Sequence, residues 1–504
     1  MTPAKQVEPN HLVPASLAVK MREWRAAAKP WTPHPYQERA LKFVLEDAQC
    51  GLLLDPGLGK TSIMLAAVKI LLQKRLMKRA LVIAPLRALD SVWPAEMCDW
   101  KDFNQLGAAL LHGTVAWREK VLRNLRPEHQ VVLINFEAIP WLCGNPRFLK
   151  ELAADTLIID ESSRMKDSTT VRFRALRKKL HLFTRRYILT GSPRPRNLLD
   201  LFGQIYLLDR GAALGCYVSH YRNTFFFPTG FQMREWAPLP DSPAKINALV
   251  APMVLRLDAQ DYLKLPKVME RTHRVELPPK VRIEYDRVEE TMMSTLFDAP
   301  FVSSAAARNF CSQAANGAVY TDRLPQDDRW PAKQRPYKVL HDAKIEAVLD
   351  LYSELQGEPL LLAIGYHHDV TRLRAVLGKD IPCINGQTTR GQASEFIDAW
   401  NKGKLPLMLV HPASAGHALN LQKFSARHVG FFYIPDDYDH YDQCFRRVWR
   451  QGNKADFVMR HMFVTQATVD VAKVRNLTRK GAGQKDFLDA MKWYAEQRAK
   501  KGRA

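Results

Sequence analysis

The sequence is short of several features that would narrow its class. Its seven cysteines, at positions 50, 98, 143, 216, 311, 383 and 444, form no Cys-x-x-Cys pair, and their number is odd. Neither a zinc knuckle nor a disulfide framework is supported, so reduced and mostly buried thiols are expected. No stretch is apolar for long enough to predict a membrane-spanning helix. The opening segment, MTPAKQVEPNHLVPASLAVK, is polar and has no long apolar centre, so no secretory leader is expected. No short-period repeat is visible. Acidic side chains are scarce beside basic ones, 52 against 74, which leaves a formal charge of +22 and a pI near 9.7. A surplus of that size attracts polyanions, nucleic acid first among them. A basic enzyme without such a partner is the alternative.

What is present is enough for more than one core. A chain of 504 residues, 46% apolar and 25% charged, reads as a globular protein of two to four domains. Between Trp31 and Asp209, five apolar runs (GLLLD, ALVIAP, VVLIN, TLIIDE and RRYILTG) alternate with helix-like segments. That rhythm predicts a parallel sheet flanked by helices, with the ligand site at the carboxyl ends of the strands. Residues 211–340 lose the rhythm, and the Pro-rich, charged stretch 321–338 reads as a linker or exposed loop. A second alternating stretch follows, with PLLLAIGY, PCING, LPLMLVHP and HVGFFYIP as strands and apolar character returning at Val458–Val464. The fold class is therefore α/β, in two halves separated by a less regular middle.

Two segments of the first half carry chemistry. In GLLLDPGLGKTS, a strand leads through a glycine turn into a helix, which aims backbone N–H groups and the helix dipole at an anion. Gly57 and Gly59 permit close approach, Lys60 reaches the terminal phosphates of a nucleotide, and the Thr61 hydroxyl is placed for Mg²⁺. Leu54 stands where the strict motif has its first glycine. The second segment, TLIIDES, delivers Asp160 and Glu161 at the end of an apolar strand. Asp160 is the expected Mg²⁺ ligand, and Glu161 is expected to orient and deprotonate the attacking water.

The order of motifs resembles superfamily 2 nucleic-acid motors, and among them the Snf2-like (SWI2/SNF2) ATPases, in the compact viral or bacterial form. HPYQERAL places Gln37 where the family reads adenine, and DPGLGKTS is similar to its D-x-G-L-G-K-T. LVIAPLRALDSVWPAEMCDW, VVLINFEAI, IIDES and LTGSPRPRNLLDLFGQIYLLD follow in the family's order. Further on, PMVLRLDAQDYLKLPK, INGQTTRGQASEFIDAWNKGKLPLMLVHPASAGHALNLQ and YDQCFRRVWRQGNKADF continue the likeness, which spans roughly residues 31–475. Departures fall at Pro56, at Ser162 and Ser163, at His417 and at Asn453, and the segment VLRLDAQ lacks one arginine and the lysine of its counterpart.

The resemblance implies two tandem RecA-like lobes with a mostly helical insertion between them. It implies an N-terminal arm over 1–30, an ATP-binding lobe over 31–210, the insertion and linker over 211–340, a second lobe over 341–475 and a basic helical tail over 476–504. It implies ATP and Mg²⁺ as cofactors, and Arg447 and Arg450 as arginines acting on the phosphoryl group. Thr190, Ser192, Ser414 and Gly416 are implied as residues that sense nucleotide state or contact the nucleic-acid strand. The implied activity is ATP-driven movement along double-stranded DNA by a monomer in the cytoplasm of a bacterium or of a bacterial host cell, with no membrane partner. A strand-separating DNA or RNA helicase, a nucleic-acid-binding scaffold with a weak ATP site and a P-loop kinase of a small molecule remain alternatives. The run from Arg164 to Arg196 holds eleven Lys or Arg and one Asp, and is read either as a solvated helix face or as a nucleic-acid contact.

Overall fold

The apolar runs become strands because a parallel sheet covered on both faces leaves no position for a solvated side chain. The computed structural model describes residues 11–86, 88–191, 198–229, 235–291, 293–294, 299–301, 303–321, 335–415 and 419–481. The chain divides into two compact units, one ending at Tyr262 and the other beginning at Leu263.

The first unit is built on a parallel sheet of seven strands: β1 (Gln49–Leu54), β2 (Ala80–Ala84), β3 (Ala108–Leu111), β4 (Val131–Asn135), β5 (Thr156–Asp160), β6 (Arg185–Thr190) and β7 (Val254–Leu257). Their order across the sheet is β3-β4-β2-β5-β6-β1-β7. The five predicted runs are β1, β2, β4, β5 and β6. Gly51 lets β1 lie close to its neighbours, since a Cβ there would press on Ile188 and Val254. The second unit carries a parallel sheet of six strands: β8 (Lys267–Val275), β9 (Leu360–Ala363), β10 (Cys383–Ile384), β11 (Leu407–Val410), β12 (His428–Phe431) and β13 (Phe457–Thr465), in the order β8-β13-β12-β9-β11-β10. Each unit buries its own core, from Leu53 to Val254 in the first and around Leu361, Trp400, Phe431 and Val448 in the second. These are the two RecA-like α/β lobes expected from the sequence.

Three differences from the sequence reading have physical causes. The segment before residue 30 is docked rather than loose from His11 onward. Leu12 bridges the edge strand β3 through Leu12 N–H to Ala108 O and Leu110 N–H to Leu12 O, both at 2.9 Å. Helix Ala15–Ala26 then buries Leu17 and Met21, while the Leu12 bridge pairs part of a sheet edge that would otherwise stay open. Secondly, residues 211–340 are shared out. Strand β7 completes the first sheet, β8 joins the second beside β13, and helices Pro279–Thr291 and Ser304–Asn316 pack around Tyr285, Val288 and Phe310. Strand β8 carries no apolar run because it is an edge strand with mostly exposed, charged side chains. Thirdly, the run Phe225–Phe227, which its apolar character predicts as buried core rather than a base-stacking surface, is split: Phe226 is buried against Tyr221 while Phe227 is exposed. The tail beyond residue 481 and most of the 321–338 stretch lie outside the described residues. Among the described residues, no helix is long and apolar enough to cross a membrane.

One buried ion pair ties the second unit together. Lys344 Nζ lies 2.6 Å from Asp470 Oδ2 and donates to Asn316 Oδ1 at 2.9 Å and to Phe432 O at 3.0 Å, with both charged side chains wholly buried. Removing the cation alone strands a buried carboxylate. Lys344→Met is therefore expected to destabilise the protein by roughly 3–5 kcal/mol, and Lys344→Met with Asp470→Leu by clearly less. Urea denaturation of the three proteins checks this.

Candidate nucleotide site

The site forms where neighbouring parallel strands end together. The registers set Leu53 of β1 beside Thr190 of β6, and Leu189 of β6 beside Asp160 of β5. The ends of β1, β6 and β5 therefore bring the phosphate-loop segment, Thr190 and the acidic pair to one edge. This is the edge at which α/β sheets bind ligands.

After β1 the chain turns through Asp55–Gly59 into helix Lys60–Gln73. Gly57 and Gly59 adopt φ of 95° and 75°, which a side-chain-bearing residue takes only with strain. Gly59 is required a second time, because a Cβ there would collide with the Gln37 side-chain amide. Gln37 is buried; its Nε2 donates to Leu58 O at 3.3 Å and its Oε1 accepts from the His34 N–H at 2.9 Å. The predicted adenine reader and the phosphate loop are thus joined directly. Lys60 Nζ donates to the carbonyl of Leu54 at 2.7 Å, with Asp55 O at 3.5 Å. Thr61, half-buried, begins the same helix.

Asp160 is buried, and its Oδ2 accepts a hydrogen bond from the indole N–H of Trp93 at 3.0 Å. Burial pushes its carboxyl above the usual carboxylate range; the Trp93 N–H and the nearby Lys60 ammonium pull the other way. Glu161 follows with φ of 56° and ψ of 53°, a left-handed conformation that is costly for a residue with a side chain and that marks functional sites when it persists. Ser162, one of the departures from the family pattern, is buried and donates to Gln204 Oε1 at 2.8 Å.

This donor set fits a magnesium–triphosphate. The left-handed φ of Gly57 and Gly59 is the backbone conformation in which successive N–H groups can form an anion-binding nest. A buried carboxylate whose ionised form is penalised is the group that gains most from a nearby divalent cation.

The other predicted residues have separate surroundings. In the second unit, Arg450 Nη1 donates to Asn420 Oδ1 at 2.7 Å, and Arg447 is buried, its carbonyl accepting from Leu421 N–H at 3.3 Å. Both arginines are thus anchored to the ALNLQ segment that carried the family likeness. Asn453 is a buried turn amide that donates to Ala426 O and Val448 O. Ser414 lies in the short helix Pro412–Ala415 after β11. Ser192 and Gly416 fall outside the described residues. Two side chains escaped the sequence reading as members of the site: Trp93, bonded to Asp160, and Arg256, bonded to Asp55. A lone arginine in the apolar strand VLRL was the available signal, since a buried charge must be paired.

Residues 36–315 match the family model described as the SNF2-related domain, more than half of the chain. The chain belongs to the SNF2-related family. As a member it is an ATP-hydrolysing enzyme of helicase superfamily 2, as the motifs implied. Its relatives include protein p41 of Acyrthosiphon pisum secondary endosymbiont phage 1, 30% identical over 486 residues that cover 92% of this chain and 99% of p41. YwqA of Bacillus subtilis (strain 168), named for an ATP-dependent helicase/translocase, is 22% identical over 498 residues; the alignment covers 92% of this chain but 50% of YwqA. Among solved structures, a Sulfolobus solfataricus SWI2/SNF2 ATPase core in complex with dsDNA matches at 20% identity and a TM-score of 0.41, covering 93% of this SNF2-related chain and 96% of that one.

The raised Asp160 carboxyl gives a signed expectation. A carboxyl whose pKa is raised by folding favours the folded state at low pH, and that contribution is lost as pH rises through the raised value. Keeping Asp160 ionised therefore costs the folded state stability. Asp160→Asn, which can still accept from Trp93, is expected to stabilise the nucleotide-free protein by about 0.5–2 kcal/mol while abolishing ATP turnover. Thermal unfolding and a coupled ATPase assay on the same preparation test both halves. In the wild type, the acid limb of the ATPase profile should move to lower pH as Mg²⁺ is raised.

Proposed function

We propose that this protein is an ATP-driven translocase on double-stranded DNA. The observation that carries the ATP half of the reading is the convergence of Lys60 and Asp160 at the ends of β1 and β5, on either side of β6 in one sheet. Lys60 would leave the Leu54 carbonyl for the terminal phosphates, while the backbone N–H groups of Gly57–Lys60 hold the others. Thr61 and Asp160 hold Mg²⁺, which supplies charge neutralisation to the transferring phosphoryl group. Glu161 orients the attacking water and accepts its proton, and Gln37 reads the base. Thr190, at the end of the strand between them, senses the phosphate. Arg447 and Arg450 are assigned to the charge that develops on the phosphoryl group; Ser414 with Gly416, and Ser192, are assigned to nucleic-acid contact or coupling.

The DNA half is supported by the charge of +22 and by the family, which includes a relative named for helicase/translocase activity. Part of that charge is structural. Arg186 is buried and donates to Leu208 O at 2.6 Å and Phe183 O at 2.7 Å, and Arg79 donates to three backbone carbonyls. Within the basic run, Arg174 and Lys178 line a groove of about 620 Å³ beside Tyr206, whose hydroxyl and the Cys216 carbonyl hold Arg177. We assign this groove to a phosphate backbone.

ATPase rates measured without nucleic acid and with single strands, RNA or duplex DNA test the reading. Duplex should stimulate most, and the stimulation should weaken as salt rises. Arg450→Ala should lower kcat by roughly 10³-fold or more, and Lys60→Ala and Glu161→Gln should be inactive. Activation by RNA or single strands alone would favour a strand-separating helicase, and indifference to all of them would reject the motor.

A further inference from the structure

Arg256 has no place in the phosphate chemistry, yet it is the most enclosed charge beside the phosphate loop. Its side chain is 2% exposed within the four-residue apolar strand β7. One guanidinium nitrogen donates to Leu53 O at 2.8 Å. The other donates to Asp55 Oδ1 at 3.0 Å and pairs closely with Asp258. The second oxygen of Asp55 is also used, accepting from the Ala259 N–H at 3.1 Å. Lys60 meanwhile holds the carbonyl of Leu54. Lys60 and Arg256 thus grip the same three residues, 53 to 55, the lysine from within the loop and the arginine from the neighbouring strand.

That neighbouring strand is the last before the chain passes into the second unit. After β7, helix Ala259–Tyr262 starts at the N–H held by Asp55 and ends at Tyr262, the last residue of the first unit. The Tyr262 ring lies 5.0 Å from that of Tyr36, which adjoins Gln37. Loop, base reader and exit segment are therefore fastened to one another through Asp55, Gln37 and Tyr36.

We infer that Arg256 is a positioning residue for ATP turnover, locking the phosphate loop to the strand by which the chain leaves the first unit. The inference rests on the proposed reading of the loop as the ATP site. When Lys60 exchanges the Leu54 carbonyl for phosphate, residues 53–55 lose one side-chain anchor, while the pairing of β1 with its neighbours and the Asp55 N–H bond to Leu257 O persist. Arg256 is the side-chain anchor that remains. With it the loop stays in register for the phosphates; without it, Asp55 and Asp258 lose the cation they share beside the loop. Loss of register at that scale costs rate rather than merely stability.

The test compares wild type, Arg256→Gln and the double variant Asp55→Asn/Arg256→Gln in steady-state ATPase assays with duplex DNA, alongside thermal unfolding. Arg256→Gln should lower kcat/KM for ATP roughly 10- to 100-fold. It should also lower Tm, because a buried pair is broken. The double variant removes the stranded charge of Asp55 but leaves that of Asp258, so Tm should recover in part while kcat/KM stays low. Recovery of both would show that the pair serves charge balance alone, and would overturn the inference. So would an Arg256→Gln protein with wild-type turnover. Should Arg256→Gln fail to fold, the double variant decides by itself. A wild-type chain that does not turn over ATP, or a Lys60→Ala chain that does, would instead strike the ATP-site reading.

Discussion

Three neighbouring strands ending at one edge are the constraint on which the rest depends. The order β5-β6-β1 places Asp160, Thr190 and the loop before Lys60 side by side, and no local sequence signal could do so without that order. The arrangement is kept at a cost. Asp160 is buried against its preference for water, Glu161 sits in a left-handed conformation, and Lys60 is held by a backbone carbonyl. Each is a strain or desolvation that phosphate and a divalent cation would relieve, which is the usual signature of a site prepared for its ligand.

Charge is used in two ways in this protein. Some cations are internal braces: Arg79, Arg186, Arg256 and Lys344 are buried and spend their donors on backbone carbonyls or buried carboxylates. Others, such as Arg174 and Lys178, face an open groove. Net charge alone cannot separate the two uses. It predicts an affinity for polyanions, and the structure then says which cations are free of structural duty.

Much of the fold was legible because parallel strands buried on both faces must be continuous apolar runs, and β1, β2, β4, β5 and β6 are such runs. The strands that escaped gave a weaker signal. Strand β3 is four residues with no β-branched side chain, β7 carries Arg256, and β8 is an exposed edge. Within the site, Lys60 and Asp160 were legible because phosphate and magnesium chemistry fixes residue type and local spacing. Trp93 and Arg256 were not, since their partners lie 67 and 201 residues away, and only the sheet order brings them together.

The account stands or falls on what the three strand ends hold. A crystal structure grown with Mg²⁺ and a non-hydrolysable ATP analogue tests it most directly. The expected result is Lys60 withdrawn from the Leu54 carbonyl and bonded to phosphate, with the cation bound by Thr61 and Asp160. Nucleotide bound elsewhere, or bound with Lys60 still on Leu54 and Asp160 holding no cation, would contradict it.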